Sequence, residues 1–172
     1  VDAGLFVEPS GGTFRLTSKG FEMLDSVEGG GAATNQAFVA MWFSPAMEEA
    51  YALGIEPAIR DSGFTPFRVD KKETINKIDD EIVAEIRRTR FLVADFTCGT
   101  FKHQGHLRAE ARGGVYFEAG LAMGLNMPVI WTARRDCIDL VHFDTRQFAH
   151  IVWDSPEDLR TGLINRIGAT IR

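Results

Sequence analysis

From Gln36 onward, short apolar runs alternate with stretches whose apolar residues recur every three or four positions. Ala37 to Phe43 is an unbroken apolar run, too short for a helix and suited to a strand buried on both faces. Pro45 fits the first turn of a following helix, in which Met47, Tyr51, Ile55 and Ile59 share one face. Pro57 should kink or divide that helix, since it offers no N–H and its ring crowds the preceding turn. Phe64 to Val69 predicts a second strand. Ile75, Ile78, Ile82 and Ile86 mark the buried side of the next helix, with Lys77, Asp79, Asp80, Glu81, Glu85 and Arg88 on its solvated side. Phe91 to Ala94 predicts a third strand ending at Asp95. A helix from about Gly114 to Gly124 leads into a fourth strand, Met127 to Trp131. His150 to Trp153 predicts a fifth, after which Ser155 caps a helix bearing Leu159, Leu163 and Ile167.

This alternation specifies an α/β domain with a parallel sheet covered by helices on both faces. Ligands of such sheets bind beyond the carboxyl ends of the strands. The informative segments are therefore Trp42-Phe43-Ser44, Arg68-Val69-Asp70, Asp95-Phe96-Thr97 and the surroundings of Trp131.

The first residues follow a different pattern. Leu5-Phe6-Val7 and Thr13-Phe14-Arg15-Leu16 flank the turn residues Ser10-Gly11-Gly12, which predicts a hairpin. Thr17 then caps a short helix with Phe21, Leu24 and Val27 on one face. A hairpin closed by such a helix resembles the wing and last helix of winged-helix domains; an irregular arm packed on the main domain is the other reading. The resemblance implies that the helices completing such a domain precede residue 1, and only then would nucleic acid be a partner. Gly29-Gly30-Gly31 and the small residues after them read as a linker. The division is thus an arm over 1–28, a linker over 29–36 and the main domain over 37–172.

Composition narrows the class without naming a function. The 172 residues are 45% hydrophobic and 25% charged, as in soluble globular proteins. A net charge of −5 argues against nucleic-acid binding through bulk charge. Two cysteines, Cys98 and Cys137, form no disulfide framework and suit a reducing cytoplasm. No apolar run is long enough for a membrane span. There is no Gly-x-Gly-x-x-Gly after the first strand, no P-loop and no Gly-x-Ser-x-Gly elbow.

The richest stretch is Gly113-Gly114-Val115-Tyr116-Phe117-Glu118-Ala119-Gly120-Leu121-Ala122-Met123-Gly124. Glu118 is its one charged residue. An acid early in a helix is favoured by the macrodipole, but that account expects a solvated side chain. Amid apolar neighbours a carboxylate requires a partner or a task. Before it, residues 98–112 carry Lys102, Arg108 and Arg112 on a long loop, either a lid over a phosphate or a surface insertion. Cys98, His103 and His106 within it match no closed zinc site, so no metal is expected.

Taken in order, Phe38-Val39-Ala40-Met41-Trp42-Phe43, Arg68-Val69-Asp70-Lys71, Phe91-Leu92-Val93-Ala94-Asp95-Phe96-Thr97 and the run from Gly114 to Ile130 resemble the nucleoside 2-deoxyribosyltransferase-like and TIR-like superfamily. The similarity spans roughly Phe38 to Ile167. It implies a flavodoxin-like fold and chemistry at the N-glycosidic bond of a nucleoside, a nucleotide or NAD, with no cofactor and with NAD, if used, as substrate. The matching position of the family's catalytic glutamate is Glu118, as nucleophile or stabiliser of an oxocarbenium-like sugar. Asp95 would face Glu118, positioning it or binding a ribose hydroxyl, or else cap its own loop through Thr97. Trp42 and Phe43 would stack on a base or belong to the core. Ser44, Arg68, Asp70, Thr97, Gly114 and Tyr116 complete the candidate substrate contacts. Family members commonly carry an Asn before the valine–aromatic pair, where this chain has Gly113-Gly114.

Two functions fit these residues. One is a cytoplasmic N-glycosidic hydrolase or transferase dependent on Glu118. The other is a nucleotide-sensing or self-associating TIR-like module that keeps the pocket without turnover, with a homo-oligomer as its expected assembly.

Overall fold

A computed structural model describes residues 4, 6–7, 15–20, 23, 34–69, 78–103 and 106–171. Strands β1 (Phe6–Val7) and β2 (Arg15–Leu16) pair antiparallel, with Phe6 opposite Leu16. Thr17 caps the turn that follows, its Oγ1 accepting from the Gly20 N–H at 3.0 Å and donating to the Gly4 carbonyl at 2.7 Å. The Ser10–Gly12 turn, the Gly29–Gly31 linker and the face of Phe21, Leu24 and Val27 lie outside the described residues.

The main sheet begins with β3 (Gln36–Ala40), β4 (Thr65–Phe67) and β5 (Phe91–Asp95). Between β5 and the next sheet strand stands a separate antiparallel hairpin, β6 (Gly99–His103) and β7 (His106–Glu110). The sheet is completed by β8 (Val129–Arg134) and β9 (Ile151–Trp153). Its order is β4-β3-β5-β8-β9, every neighbouring pair parallel. Numbering only these five in chain order gives the doubly wound flavodoxin-like arrangement, whose direction of growth reverses between β3 and β5.

Helices cover both faces. On one lie a π-helical segment (Ala50–Ile55), helix α1 (Glu56–Asp61) and the C-terminal helix, whose core includes Met47, Tyr51, Ile55, Ile59, Val93, Trp153, Leu159, Leu163 and Ile167. On the other lie α2 (Ile78–Arg88) and α3 (Gly113–Gly124), enclosing Phe38, Ile86, Leu92, Ala94, Phe96, Val115, Ala119 and Trp131. A short α4 (Phe143–Arg146) and then α5 (Pro156–Thr170) complete the chain. Ser155 and Asp158 form a reciprocal capping box at the start of α5, each side chain accepting from the other's backbone N–H at 3.2 Å. Gly54 lets the π-helical segment approach α5 closely, since a Cβ there would lie 3.0 Å from the Pro156 carbonyl oxygen.

Several expectations are corrected. The break at Pro57 is a change of winding, and the wider pattern lets a carbonyl skip the residue that offers no N–H. The first strand ends at Ala40, because Met41 to Phe43 turn away from the ladder toward the site. The fourth runs on to Arg134, so Trp131 lies in mid-strand. Gly99–His103 and His106–Glu110 pair as antiparallel strands, where a loop was expected. Glu85, assigned to the polar side of its helix, is buried, and accepts from Gln36 Nε2 at 3.1 Å and Arg88 Nη1 at 3.3 Å. Ile75, Lys77 and the side chains of Ile78, Asp79 and Asp80 lie outside the description.

Candidate functional site

Reversal of strand order between β3 and β5 opens a crevice at the carboxyl edge of the sheet. A cavity of about 270 Å³ occupies it, lined by Met41, Trp42, Phe43, Arg112, Gly114, Val115 and Glu118. Two chain segments build it. Met41-Trp42-Phe43 leaves the end of β3, and Arg112 to Glu118 is the N-terminal half of α3 with the residue before it. The cavity thus lies where the strand alternation had directed attention. It brings Trp42, Phe43, Gly114 and Glu118 together.

Glu118 sits in the second turn of α3, with Gly114 one turn before it and Val115 beside both on the cavity face. It is 7% exposed and makes no hydrogen bond or ion pair with any described residue. Burial alone raises its pKa from 4.5 to about 7. At neutral pH the carboxyl is therefore shared between acid and carboxylate. Dipole compensation expects a solvated acid and does not account for a side chain largely buried and without a partner among the described residues.

Trp42 forms a wall held from two sides. A Cβ at Gly99 would overlap the outer edge of the indole, so only glycine allows the base of the hairpin to lie against it. The Arg112 guanidinium stands over the same ring, 5.5 Å from its centroid. Both residues flank the hairpin, so its two feet grip one tryptophan. Gly99 was missed at the sequence level, since nothing local marks a glycine whose constraint comes from a distant ring. Met41 and Val115 were also not singled out as lining residues.

The remaining candidates have other partners. Asp95 was expected to face Glu118, but strand alternation turns it to the opposite side of the sheet from α3, among Thr132 and Trp153. Its Oδ1 accepts from the Thr97 N–H at 3.0 Å. Its Oδ2 accepts from Thr132 Oγ1 at 2.6 Å and Trp153 Nε1 at 3.0 Å. Desolvation raises its pKa, and these hydrogen bonds partly offset the rise. Thr97 Oγ1 in turn accepts from the Arg134 N–H at 3.0 Å. Arg68 is buried behind the cavity wall, with Nη2 2.9 Å from Glu48 Oε1 and its guanidinium 4.1 Å from the Tyr51 ring centroid and 5.3 Å from that of Phe43, a lining residue. Tyr116 accepts at its hydroxyl from the His142 N–H at 2.9 Å and packs its ring on Phe96. Ser44 caps the single turn Pro45–Met47. Asp70 and Lys71 lie outside the described residues.

Cys98 and Cys137 are both free and buried, the Cys98 N–H pointing at Cys137 Sγ across 3.4 Å. Burial pushes the Cys137 thiol up to about 12, which makes it inert as a nucleophile at neutral pH. Of the basic residues expected over a phosphate, Arg112 lines the cavity. The side chains of Lys102, His103, His106 and Arg108 are not among those described.

Sheet order, two-sided helical cover and a crevice at the switch point define this chain as an α/β protein of flavodoxin-like fold. Among solved structures with this fold is a 2-desoxiribosyltransferase from Leishmania mexicana, with a TM-score of 0.52 and 17% identity over 76% of this chain and 97% of that one. At that identity the likeness is one of fold. No protein-family model matches the chain, and no curated protein matches it in sequence.

Proposed function

We propose that the protein breaks or transfers the N-glycosidic bond of a nucleoside, nucleotide or NAD, with Glu118 as its catalytic carboxylate. The observation that carries this reading is a buried carboxyl, unpartnered among the described residues, that lines a cavity at the switch point of the sheet. The shared fold with a deoxyribosyltransferase supports it. In the reaction, the bond between the anomeric carbon and the base nitrogen breaks and its electron pair leaves with the base. Glu118 either attacks the anomeric carbon or stabilises the positive charge developing there. Water completes hydrolysis; a second base completes transfer. A poorly hydrated carboxylate suits this work, because charge stabilisation is stronger where water is excluded. Trp42 supplies a flat apolar wall for the leaving base. Asp95, on the far side of the sheet, supports the strand ends and takes no part at the reacting carbon.

The test follows base release from a panel of nucleosides, nucleotides and NAD, each with and without an acceptor base. Wild type should release base, and Glu118→Gln should lose at least about 10³-fold in rate. Identical traces from the two proteins at high enzyme concentration would sink the catalytic reading and leave a sensing module.

A further inference from the structure

The cavity wall holds two aromatic rings, and they are anchored differently. Trp42 packs against the core on the π-helical side of the sheet and is gripped by the feet of the hairpin. Phe43 has no such seat. Its ring is 41% exposed, and it belongs to neither hydrophobic cluster. The backbone around it is fixed: the Ser44 N–H donates to the Trp42 carbonyl at 3.1 Å, and the Met47 N–H to the Ser44 carbonyl at 2.9 Å. A fixed backbone still leaves several side-chain rotamers open, and contacts of the ring itself decide among them. Among the described residues, what stands over that ring is the guanidinium of Arg68, 5.3 Å from its centroid.

Arg68 follows β4, the edge strand beside β3, and its side chain is 1% exposed. Burying a charge so completely is costly, and an apolar side chain of similar volume often gives a fold just as stable. Stability alone therefore does not explain an arginine here. Its other contacts lie away from the cavity. Nη2 is 2.9 Å from Oε1 of Glu48, which follows the Pro45–Met47 turn. The guanidinium is also 4.1 Å from the ring centroid of Tyr51, a buried residue of the π-helical segment. One planar cation thus joins the buried side of that segment to the loosely seated ring of the wall. Such contacts are strongest where water is excluded, and a guanidinium stacks on aromatic faces as an ammonium does not.

We propose that Arg68 is a positioning residue of the site, holding the Phe43 ring as a wall for a flat leaving base without itself touching the ligand. The part played by the base rests on the glycosidic reading of Glu118; the bracing of Phe43 does not.

Two variants separate a brace from a merely structural arginine. Arg68→Met keeps the length and apolar bulk, and the half-exposed Glu48 stays hydrated without its partner. Arg68→Lys keeps the charge without the plane. The first readout needs no substrate: the Glu118 carboxyl is titrated by carboxyl-carbon NMR in glutamate-labelled protein. Phe43 and Glu118 line the same cavity, so a ring that yields in Arg68→Met lets water reach the carboxyl. Its pKa should then fall from about 7 by at least about half a pH unit. Loss of a cation alone would raise it, because a nearby positive charge favours the carboxylate. Arg112, the other charged residue of the lining, is the same in all variants.

The second readout is base release. Arg68→Met should raise KM at least about fivefold, with the loss falling on KM rather than kcat, and Arg68→Lys should recover part of it. In a Phe43→Leu background, Arg68→Met should change KM by less than about twofold. An unmoved or raised Glu118 pKa in Arg68→Met, or the same KM penalty with and without the Phe43 ring, would overturn the positioning role. A wild type that releases no base would overturn the glycosidic reading instead, and the carboxyl titration would still decide for or against Arg68.

Discussion

Glu118 is held where its charged form is disfavoured, and the cost is measurable through proton linkage. Its pKa of about 7 stands above the ordinary 4.5, so the folded chain retains a proton that the unfolded chain releases. Its contribution to stability is full below pH 4.5 and is lost as pH rises toward 7. The shift corresponds to roughly 3 kcal/mol. Glu118→Gln should therefore be more stable than wild type by about that amount near pH 8, and similar to it near pH 4.5. Urea denaturation at the two pH values measures this, and an equal difference at both would contradict the linkage. His150 works in the other direction. Burial lowers its pKa, so its contribution is present above 6.5 and is lost as pH falls below. In wild type the two slopes oppose each other; in the glutamine variant the histidine's slope should stand out. For catalysis the same ionisation predicts base release rising as pH passes through about 7, if the carboxylate is the nucleophile.

Among elements, the hairpin β6–β7 has the greatest influence on the site without supplying its central carboxyl. Gly99→Ala should push the indole of Trp42 out of place, costing about 1–3 kcal/mol and altering tryptophan emission. Unchanged stability and emission would show that the ring has room to yield. Elements such as β5 and α5 were legible in the sequence because their information is local. Phe91 to Ala94 is an uninterrupted buried run, and Ser155 announces its helix through a side-chain cap. The hairpin was missed because the alternation of Leu107 and Ala109 with His106, Arg108 and Glu110 is short, and no strong turn motif separates it from the run before it. The end of β8 was misread at Thr132, a polar residue that ends the apolar pattern. Its hydroxyl is satisfied by Asp95 from a neighbouring strand, a partner the linear sequence does not reveal. Glu118 stood out as one acid in an apolar helix. Which face Asp95 would take depended on the parity of its strand relative to helices not yet placed.

At the scale of the whole molecule, Asp95 joins the carboxyl ends of β5, β8 and β9 from the face of the sheet opposite α3. One carboxylate thereby serves the Thr97 amide, a threonine hydroxyl and an indole N–H. Asp95→Leu strands these buried donors and should cost on the order of 3 kcal/mol or more, lowering Tm by several degrees. Asp95→Asn keeps an acceptor and should lose less than half as much. If the two variants melt together, the hydrogen bonds contribute nothing beyond side-chain volume.

The hairpin also divides the cavity along the chain. Met41, Trp42, Phe43 and Gly99 precede the connection between β6 and β7, whereas Arg112, Gly114, Val115 and Glu118 follow it. A single peptide cut between these strands would sort the wall and the carboxyl onto different polypeptides. Whatever the intact site does at a rate proportional to protein concentration, the severed protein would do only after two fragments meet. Its response to dilution would then be second order.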